Sequence, residues 1–352
     1  MRKRPENRQC LKQAGTHEIY YSPKDIPKKS GRKQRMSFKD SKVVIVGCGN
    51  VGSTTAYTII NQGLAEEIVL IDVNKDKSYA EALDMAHSIY FMNRNINIHA
   101  GEYSDCKDAD IVIITASAPM PKDSSSRLDM LAPSIKIIKS IVSSVMESGF
   151  NGIFLVISNP VDIMTYMVYK MSGLPKNQVI GSGTNLDSAR LCCELADMYD
   201  LDSKSVSAYV CGEHGDSEIV SWHSAVIGGK SVENVMKDNP DRTKNITRED
   251  LQKQTIKAGW DIFNRKGNTC YGIAASAAAI CKSILFNENH IYPVTVGLSG
   301  QYGIKNAWLS VPTIIDRTGA KEIVEIRLDP DEEKALRHSA ELLESFYGEL
   351  GL

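Results

Sequence analysis

The chain has 352 residues, which is long for one ordinary domain and suits two, and 42% of them are hydrophobic, enough for a sizeable core. Its 41 basic and 43 acidic residues nearly cancel, which argues against nucleic-acid and membrane partners that recognise overall charge. No apolar run reaches the roughly 20 residues that span a bilayer, and the eight cysteines include no CxxC pair, so we expect a cytoplasmic protein with reduced thiols and no metal site.

Residues 1–40 differ from the rest because they are rich in Lys and Arg, poor in acids and without apolar periodicity. This composition predicts a disordered basic extension. The segment could be a nucleic-acid arm, a transit peptide or an oligomerisation arm, or it could result from a start upstream of a native Met36. We favour the upstream start, because Glu6, Glu18 and Asp25 argue against a transit peptide.

Predicted strands and helices alternate between residues 42 and 158. The continuous β-branched runs, typical of strands buried on both faces, are VVIVG (43–47), IVLID (68–72), IVIIT (111–115) and IFLVIS (153–158). The stretches between them predict helices, one up to Gly63, one through SYAEALDMAHSI and one from about Pro133 to Ser148. Buried parallel strands with crossover helices predict an α/β fold, with a doubly wound parallel sheet (Rossmann type) over residues 41–182.

The sequence changes character after about Ser182, and we expect a second, α+β domain over residues 183–352. In this part, TIIDRTGAKEIVEI places turn residues between two alternating segments, which predicts a hairpin. A helix should follow it, because Asp329 can cap the N-terminus and Pro330 suits the first helical position. The apolar residues that share one face of this helix are Leu336, Ala340, Leu343, Tyr347 and Leu350.

A glycine-rich turn follows the first predicted strand. In VVIVGCGNVG, Gly47, Gly49 and Gly52 form the pattern G-x-G-x-x-G at the start of a helix. The first glycine makes the turn, the second lets the backbone approach a pyrophosphate, and the third lets helix and strand pack. Asp72 ends the next strand, about twenty residues further on, where a carboxylate can accept hydrogen bonds from an adenine ribose. The pattern predicts NAD rather than NADP, because Asp72 would repel a 2′-phosphate.

Four further motifs carry polar side chains suited to acid–base and anion chemistry. His214 lies in GEHGDSE, after the apolar run VSAYVC, and is one of only seven histidines. In SGTNLDSAR, Asp187 and Arg190 are three residues apart, so one helical turn can aim both into a cleft. Asn159 follows a strand in VISNP, at the sheet edge where ligands bind in open α/β folds. Arg127 lies in SSSRLDM, in a Ser- and Pro-rich loop that suggests a mobile element.

From about Lys42 to the C-terminus, the chain resembles the L-lactate/L-malate dehydrogenase family, which are NAD-dependent L-2-hydroxy acid dehydrogenases. The resemblance rests on GCGNVG, LID, SNPVD, GTNLDSAR, GEHGDS and TCYGIA, in the family's order. It implies an enzyme that uses NAD and binds a small 2-oxo or 2-hydroxy acid in the second domain. A homodimer or homotetramer is implied by the resemblance as well.

The resemblance also implies roles for single residues. His214 would be the catalytic acid and base, Asp187 the carboxylate that holds its imidazole, and Arg127 the loop residue that polarises the substrate carbonyl. Arg190 would anchor the substrate carboxylate through a bidentate pair. The other substrate contacts would be Asn159, Thr269 and Met120. The cofactor contacts would be Gly47, Gly49, Asn50, Val51, Gly52, Asp72, Thr115, Ala116, Asn159 and Ser182.

The specificity loop departs from the family's pattern. Lactate enzymes usually read like GANQKPGETR and malate enzymes carry Arg at the Gln position, whereas SAPMPKDSSSR is one residue longer. Counted from Thr115, Met120 takes the discriminating position; counted back from Arg127, Pro121 does. Without a fixed guanidinium, a second substrate carboxylate would be buried unpaired, which disfavours malate, although Lys122 could supply the charge.

Two substrates therefore stay open. Pyruvate is favoured by the frequency of lactate enzymes in the family and by Thr269, which should narrow the pocket. A branched or longer 2-oxo acid is the alternative, because a Met at position 120 adapts to larger groups. A non-catalytic NAD-binding protein is a third interpretation, and the presence of all the catalytic groups argues against it.

A last departure concerns regulation. Many bacterial lactate dehydrogenases are activated by fructose 1,6-bisphosphate through an Arg and a His at a subunit interface. The aligned residues here are Cys192 and Ser207, which cannot hold phosphate charge. We therefore expect no such activation.

Overall fold

The computed structural model describes residues 40–118, 131–243 and 246–351. The segment Asp40–Leu352 forms one compact unit. Residues 1–39 lie outside the described residues, as do Met120, Pro121, Lys122 and Arg127. The disordered extension and the roles of the specificity loop therefore stay predictions.

Six parallel strands form the centre of the unit. They are β1 (Lys42–Val46), β2 (Glu67–Ile71), β3 (Asn97–Ala100), β4 (Ile111–Ile114), β5 (Ile153–Val156) and β6 (Val179–Gly181). Their order in the sheet is β3-β2-β1-β4-β5-β6, in which two βαβαβ halves meet between β1 and β4. Every residue of β1, β4 and β5 is buried, as the continuous β-branched runs predict. The predicted doubly wound α/β fold is confirmed.

The sheet continues past the parallel strands into the second half of the chain. Beyond β6 lie three antiparallel strands, β12 (His290–Gly297), β13 (Trp308–Asp316) and β14 (Gly319–Ile323), of which the last two form the predicted hairpin. Two small sheets contain the short strands β7 (Val206–Ser207), β8 (Val210–Cys211), β9 (Ile219–Val220), β10 (Val226–Ile227) and β11 (Lys230–Ser231). A single sheet thus crosses residue 182, and the division into two domains at that point stays a prediction.

Ten α-helices lie in the described parts of the chain. They are α1 (Asn50–Gln62), α2 (Lys75–Ser88), α3 (Leu131–Glu147), α4 (Val161–Ser172), α5 (Asn185–Tyr199), α6 (Val232–Asp238), α7 (Pro240–Thr243), α8 (Arg248–Lys266), α9 (Tyr271–Phe286) and α10 (Pro330–Ser345). As predicted, Asp329 caps α10, since its side chain accepts the N–H groups of Asp331 and Glu332. None of these helices has the length and apolar character that a membrane crossing requires.

The cysteines in the described residues are all free thiols. Burial raises the pKa of four of them to about 12, namely Cys48, Cys106, Cys211 and Cys281. Since only the thiolate is a strong nucleophile, these four are unreactive near neutral pH. They behave as the small packed side chains that the sequence predicts.

A charged cluster lies at the amino end of the parallel strands. Nε2 of His99 is 3.0 Å from Oε1 of Glu67, and Nζ of Lys42 is 3.7 Å from the same oxygen and 2.9 Å from Oδ1 of Asp108. Burial disfavours the charged imidazole, but its bonds to Glu67 and to the carbonyl of Ala100 outweigh burial and raise the pKa of His99. The cluster ties β3 to its neighbour β2.

We expect His99 to stabilise the fold more at low pH than at high pH. Because the pKa of His99 is higher in the folded chain, its contribution is complete below the unfolded value of about 6.5 and is lost as pH rises through the folded value. His99→Gln should therefore lower the free energy of unfolding more at pH 6 than at pH 8.5. Urea titrations at both pH values test this, with the exposed His338→Gln as control. An equal loss at both pH values would contradict the expectation.

Candidate active site

The carboxyl ends of the parallel strands carry most of the predicted site residues. The glycine turn follows β1, Thr115 and Ala116 follow β4, Asn159 follows β5, and Ser182 follows β6. In an open α/β sheet, ligands bind at this edge, near the point where the strand order reverses. Here the order reverses between β1 and β4, which places the glycine turn at that point.

The three glycines of the turn have different surroundings. Gly47 has a φ of +107°, and a Cβ there would lie 2.6 Å from the backbone nitrogen of Ala116. A Cβ at Gly52 would lie 1.8 Å from the carbonyl oxygen of Gly47, so the third glycine permits close packing of α1 on β1. Gly49 has nothing within 4 Å of its Cβ position. The turn therefore leaves open surface at the N-terminus of α1, where N–H groups can bind a phosphate.

Asp72 connects this turn to the end of β2. Its Oδ2 accepts the N–H of Cys48 over 2.6 Å, and its Oδ1 accepts the N–H of Asn74 over 2.9 Å. Both bonds leave further lone pairs on the carboxylate for a ligand hydroxyl. A cleft of about 530 Å³ brings the carboxylate together with four other predicted cofactor residues, Gly47, Gly49, Thr115 and Ala116.

His214 and Asp187 form a hydrogen-bonded pair, as the motifs predict. His214 lies in the turn between β8 and β9, and its Nδ1 is 2.6 Å from Oδ2 of Asp187 in the first turn of α5. The Asp187 side chain is only 2% exposed, against 15% for His214. Donation from Nδ1 to this buried carboxylate fixes the tautomer and leaves Nε2 available for proton exchange.

Arg190 shares the same carboxylate. Its Nη1 donates to Oδ1 of Asp187 over 2.7 Å, three residues earlier on α5. A guanidinium has five N–H donors, so this bond leaves donors for a ligand. One buried carboxylate thus orients both the imidazole and the guanidinium.

A cavity of about 140 Å³ brings six predicted residues together. They are Val51, Asn159, Ser182, Arg190, His214 and Thr269. The buried Oδ1 of Asn159 has no hydrogen-bond partner among the described residues, as expected of a group that bonds a ligand. Asn50 and Gly52 line neither this cavity nor the cleft around Asp72.

The other walls of the cavity are mainly apolar, and these residues were assigned no role from the sequence. These residues are Ile157, Gly183, Leu186, Gly259, Trp260, Phe263 and Ile273. Gly259 and two aromatic residues come from α8, a helix that no motif singled out. A glycine in the interior of a helix, beside a tryptophan, is the signal that could have identified it.

Asp162 ends the motif SNPVD, but it was assigned no role from the sequence. It lies in the first turn of α4 and is 2% exposed; its Oδ2 accepts the backbone N–H of His214 over 2.7 Å, and its Oδ1 accepts the hydroxyl of Thr295 over 2.6 Å. Burial raises its pKa to about 7, and the charge of Glu213 adds to this, while the bonds from Thr295 and His214 oppose it. An acid inside the apolar run VDIMTYMV was a visible signal.

One group of side chains in the described residues has spacing compatible with a metal ion. The ligand atoms of Asp187, His214 and Glu218 lie within 4.8 Å of one another. Asp187 and His214 already form a hydrogen-bonded pair with each other. The absence of a metal cofactor stays a prediction.

Cys192 and Ser207, the positions aligned with the bisphosphate site, line a separate cavity of about 450 Å³. Lys204 and His290 also line it, and both are exposed. The expected lack of bisphosphate activation stays a prediction.

The cavity around His214 combines three chemical capacities. It offers an oriented imidazole that can give or take a proton, a guanidinium that can pair with a carboxylate, and apolar walls around both. The neighbouring glycine turn offers a phosphate site. The arrangement suits redox chemistry on a small carboxylic acid with a nucleotide cofactor.

Two family models match the chain. One, described as lactate/malate dehydrogenase, NAD binding domain, matches residues 41–181, and the other, lactate/malate dehydrogenase, alpha/beta C-terminal domain, matches residues 184–347.

Curated proteins and solved structures agree with these models. L-lactate dehydrogenase 3 of Bacillus cereus is 47% identical over 310 residues, which cover 88% of this chain and 98% of the relative. L-lactate dehydrogenase 2 of Bacillus anthracis is 46% identical over 306 residues, covering 86% and 96%. A solved minor L-lactate dehydrogenase from Enterococcus mundtii in the ligands-bound form has a TM-score of 0.83 and 40% identity, and covers 88% of this chain and 98% of its own. MGS-M5, a lactate dehydrogenase from a Medee basin deep-sea metagenome library, has a TM-score of 0.84 and 40% identity, covering 89% and 99%.

Proposed function

Because the chain belongs to the lactate/malate dehydrogenase family, we propose that it is an NAD-dependent L-lactate dehydrogenase, which interconverts pyruvate and L-lactate. The observation that carries this proposal is that His214 and Arg190 line one cavity and share the buried carboxylate of Asp187. The family relationship supplies the reaction class, and this arrangement supplies the groups that the reaction needs.

His214 is the acid and base of the proposed reaction. In reduction, the imidazolium gives the proton on Nε2 to the oxygen of the substrate carbonyl; in oxidation, the neutral imidazole takes the hydroxyl proton back. Asp187 accepts the hydrogen bond from Nδ1 and so holds the ring in orientation, with Nε2 towards the cavity, in both directions. Asn159 lies at the end of β5 and lines the same cavity, which supports a hydrogen bond to the same substrate oxygen.

Arg190 is the proposed anchor of the substrate carboxylate. The bond to Asp187 holds one edge of the guanidinium, and the remaining donors can form two parallel charge-assisted bonds with a carboxylate. Thr269 lines the cavity with it and is proposed to contact the substrate side chain. Arg127, in the specificity loop, is proposed to polarise the substrate carbonyl, as the family resemblance implies.

The residues of the glycine turn fit the NAD that the matched domain binds. When bound, NAD supplies the hydride acceptor for oxidation, and NADH the donor for reduction. The open N-terminus of α1 at Gly49 suits the pyrophosphate, and Asp72 suits the adenine ribose. Val51 and Ser182 line the substrate cavity and are proposed to contact the nicotinamide end. The resemblance implies that Thr115, like Ser182, contacts the nicotinamide end. Thr115 and Ala116 line the cleft that contains Asp72, which supports instead a contact nearer the adenine ribose.

Asp72 should make the enzyme prefer NADH to NADPH. A 2′-phosphate would meet this carboxylate, which two backbone N–H groups hold in place, and we expect kcat/KM to be at least ~100-fold higher with NADH. Initial rates with both cofactors measure the ratio. Asp72→Asn removes the charge and keeps a hydrogen-bond acceptor. This variant should lower the NADH/NADPH ratio of kcat/KM, mainly by raising kcat/KM with NADPH. A wild-type preference for NADPH would contradict the assignment.

Pyruvate is the substrate we propose, ahead of a branched or longer 2-oxo acid and of oxaloacetate. Support comes from the relatives, which are named L-lactate dehydrogenases. The decisive experiment measures kcat/KM with NADH for pyruvate, oxaloacetate and 4-methyl-2-oxopentanoate. Pyruvate should lead; a lead of the branched acid by more than ~10-fold, about 1.4 kcal/mol of transition-state preference, would contradict the lactate assignment and keep the dehydrogenase assignment.

We also propose that the protein acts in the cytoplasm as a homodimer or homotetramer, without a nucleic-acid or membrane partner. The free cysteines support a reducing compartment. An exposed apolar surface on α2 and the residues after it supports self-association. Its members are Tyr79, Leu83, Tyr90 and Phe91, exposed by 63%, 42%, 87% and 82%. Light scattering behind size exclusion would measure the number of subunits.

A further inference from the structure

A closed ring of hydrogen bonds joins the C-terminal helix α10 to the turn that carries His214. The N–H of Glu213 donates to Oγ of Ser339 over 2.8 Å, and Oγ of Ser217 donates to Oε2 of Glu213 over 2.5 Å. The two serine oxygens are 3.0 Å apart. Since Ser217 gives its only proton to the carboxylate, the hydroxyl of Ser339 must donate to Ser217. In this ring, each serine hydroxyl accepts one hydrogen bond and donates one.

Burial and close packing hold this ring in one arrangement. Ser339 is fully buried and Glu213 is 8% exposed, so a broken bond is not replaced easily by water. A Cβ at Gly212 would lie 2.9 Å from Oγ of Ser339, and one at Gly215 would lie 2.7 Å from the carboxylate carbon of Glu213. The glycines on both sides of the Glu213–His214 pair thus let the turn fit closely against Ser339 and the Glu213 side chain.

We infer that Ser339 is a positioning residue for catalysis, and that α10 fixes His214 in register with Asp187 through this ring. The inference rests on the proposed role of His214. Ser339 lies 125 positions after His214 in the chain. Its hydroxyl bonds to Glu213, which precedes the histidine, and to Ser217, three residues after it. It acts through the backbone of the turn, not through the substrate.

The geometry implies a specific kinetic effect. Arg190 lies on α5 and the glycine turn lies at the start of α1, and neither takes part in the ring. Loss of Ser339 should therefore displace the imidazole while the anchors for substrate and cofactor stay in place. Small displacements of a reacting group reduce the rate strongly, whereas binding by remote groups persists.

The test compares Ser339→Ala with the wild-type enzyme. We expect kcat for 2-oxo acid reduction to fall about tenfold, with KM for the 2-oxo acid and Kd for NADH within about twofold of wild type. Ser345→Ala is the matched control, because Ser345 lies on the same helix, is exposed and bonds only to the carbonyl of Leu342. The control should have wild-type kinetics.

Ser217→Ala provides a second route to the same ring without altering α10. It should lower kcat in the same way, and the double variant should lose no more than the worse single variant, because both changes break one ring. If Ser339→Ala does not fold, the kinetics of Ser217→Ala decide alone. Two outcomes would overturn the inference: a kcat within about twofold of wild type, or a parallel deterioration of kcat, KM and Kd together with a lower Tm. Either result in an active wild-type enzyme leaves the proposed function intact, whereas an inactive wild-type enzyme that still binds NADH contradicts the proposed function itself.

Discussion

His214→Ala is expected to lower kcat for pyruvate reduction at least ~100-fold while NADH binding persists, because the variant has no group to protonate the carbonyl oxygen. The imidazole, the proposed proton carrier, lines the cavity, and its Nδ1 is bonded to Asp187. The proposed cofactor site lies on other elements, at the glycine turn and at Asp72, so the Kd for NADH should change by less than about threefold.

Steady-state kinetics and fluorescence titration of NADH measure the two quantities. His223→Ala is a suitable control, since His223 is an exposed histidine on the segment after β9. Added imidazole should restore part of the lost rate, because a free base can enter the space that the side chain leaves. A variant with near wild-type turnover would refute the role of His214 and, with it, the proposed mechanism.

Asp162→Ala is expected to lower the free energy of unfolding by about 3 kcal/mol and to lower activity as well. The carboxylate is the acceptor for the backbone N–H of His214 and for the hydroxyl of Thr295, so it connects α4, β12 and the catalytic turn. Removing it leaves the backbone N–H of His214 without its acceptor. Urea denaturation measures the loss, and a change below about 1 kcal/mol would contradict the connecting role.

Asp162→Asn separates the charge of Asp162 from its shape. The asparagine keeps an acceptor for the backbone N–H of His214, so the free energy of unfolding should fall less than in the alanine variant. Burial raises the pKa of Asp162 to about 7, hence the folded chain holds a proton that the unfolded chain releases from about pH 4 upwards. This contribution to stability is complete below pH ~4 and is lost as pH rises through ~7. The free energy of unfolding of the wild type, relative to that of Asp162→Asn, should therefore fall between pH 5 and pH 8, and a rise would contradict this.

The fold of the first half follows from local signals in the sequence. β1, β2, β4 and β5 lie within one or two residues of the predicted runs, because a strand buried on both faces needs a continuous apolar sequence. β3 was not predicted, since its four residues, NIHA, include one buried side chain and no apolar run. Its position depends on pairing with β2, a tertiary contact that no local pattern records.

The extension of the sheet by β12 was not predicted for a different reason. Pro293 lies in the middle of this strand, and a proline normally argues against an interior strand. In the structure Pro293 stands opposite Pro312 of β13, so both missing N–H groups fall at one position of the ladder. A pairing of two prolines across strands distant in sequence is visible only once the register is known.

The site residues also divide into those that local sequence patterns identify and those whose role depends on tertiary contacts. His214, Asp187, Arg190 and Asn159 were identified because each lies in a motif with a known chemical role, and three of them meet in hydrogen-bonded contact. Trp260, Phe263 and Asp162 were assigned no role, although Asp162 ends the motif SNPVD. An aromatic residue on a helix or one acid in an apolar run has no specific meaning until its neighbours are known. Their contribution comes from where the fold places them.

The continuity of the nine-stranded sheet limits how the protein can be re-engineered. The matched nucleotide-binding region ends at residue 181, on β6, which bonds to β5 on one side and to β12 on the other. A gene fragment cut at that point would expose β6 as an unprotected edge, with the apolar surface of α1 that packs against α9. Such a fragment would be prone to aggregate, so this region cannot be used as an independent domain. Transplanting it into a chimeric oxidoreductase would require a designed strand and helix to cover both surfaces.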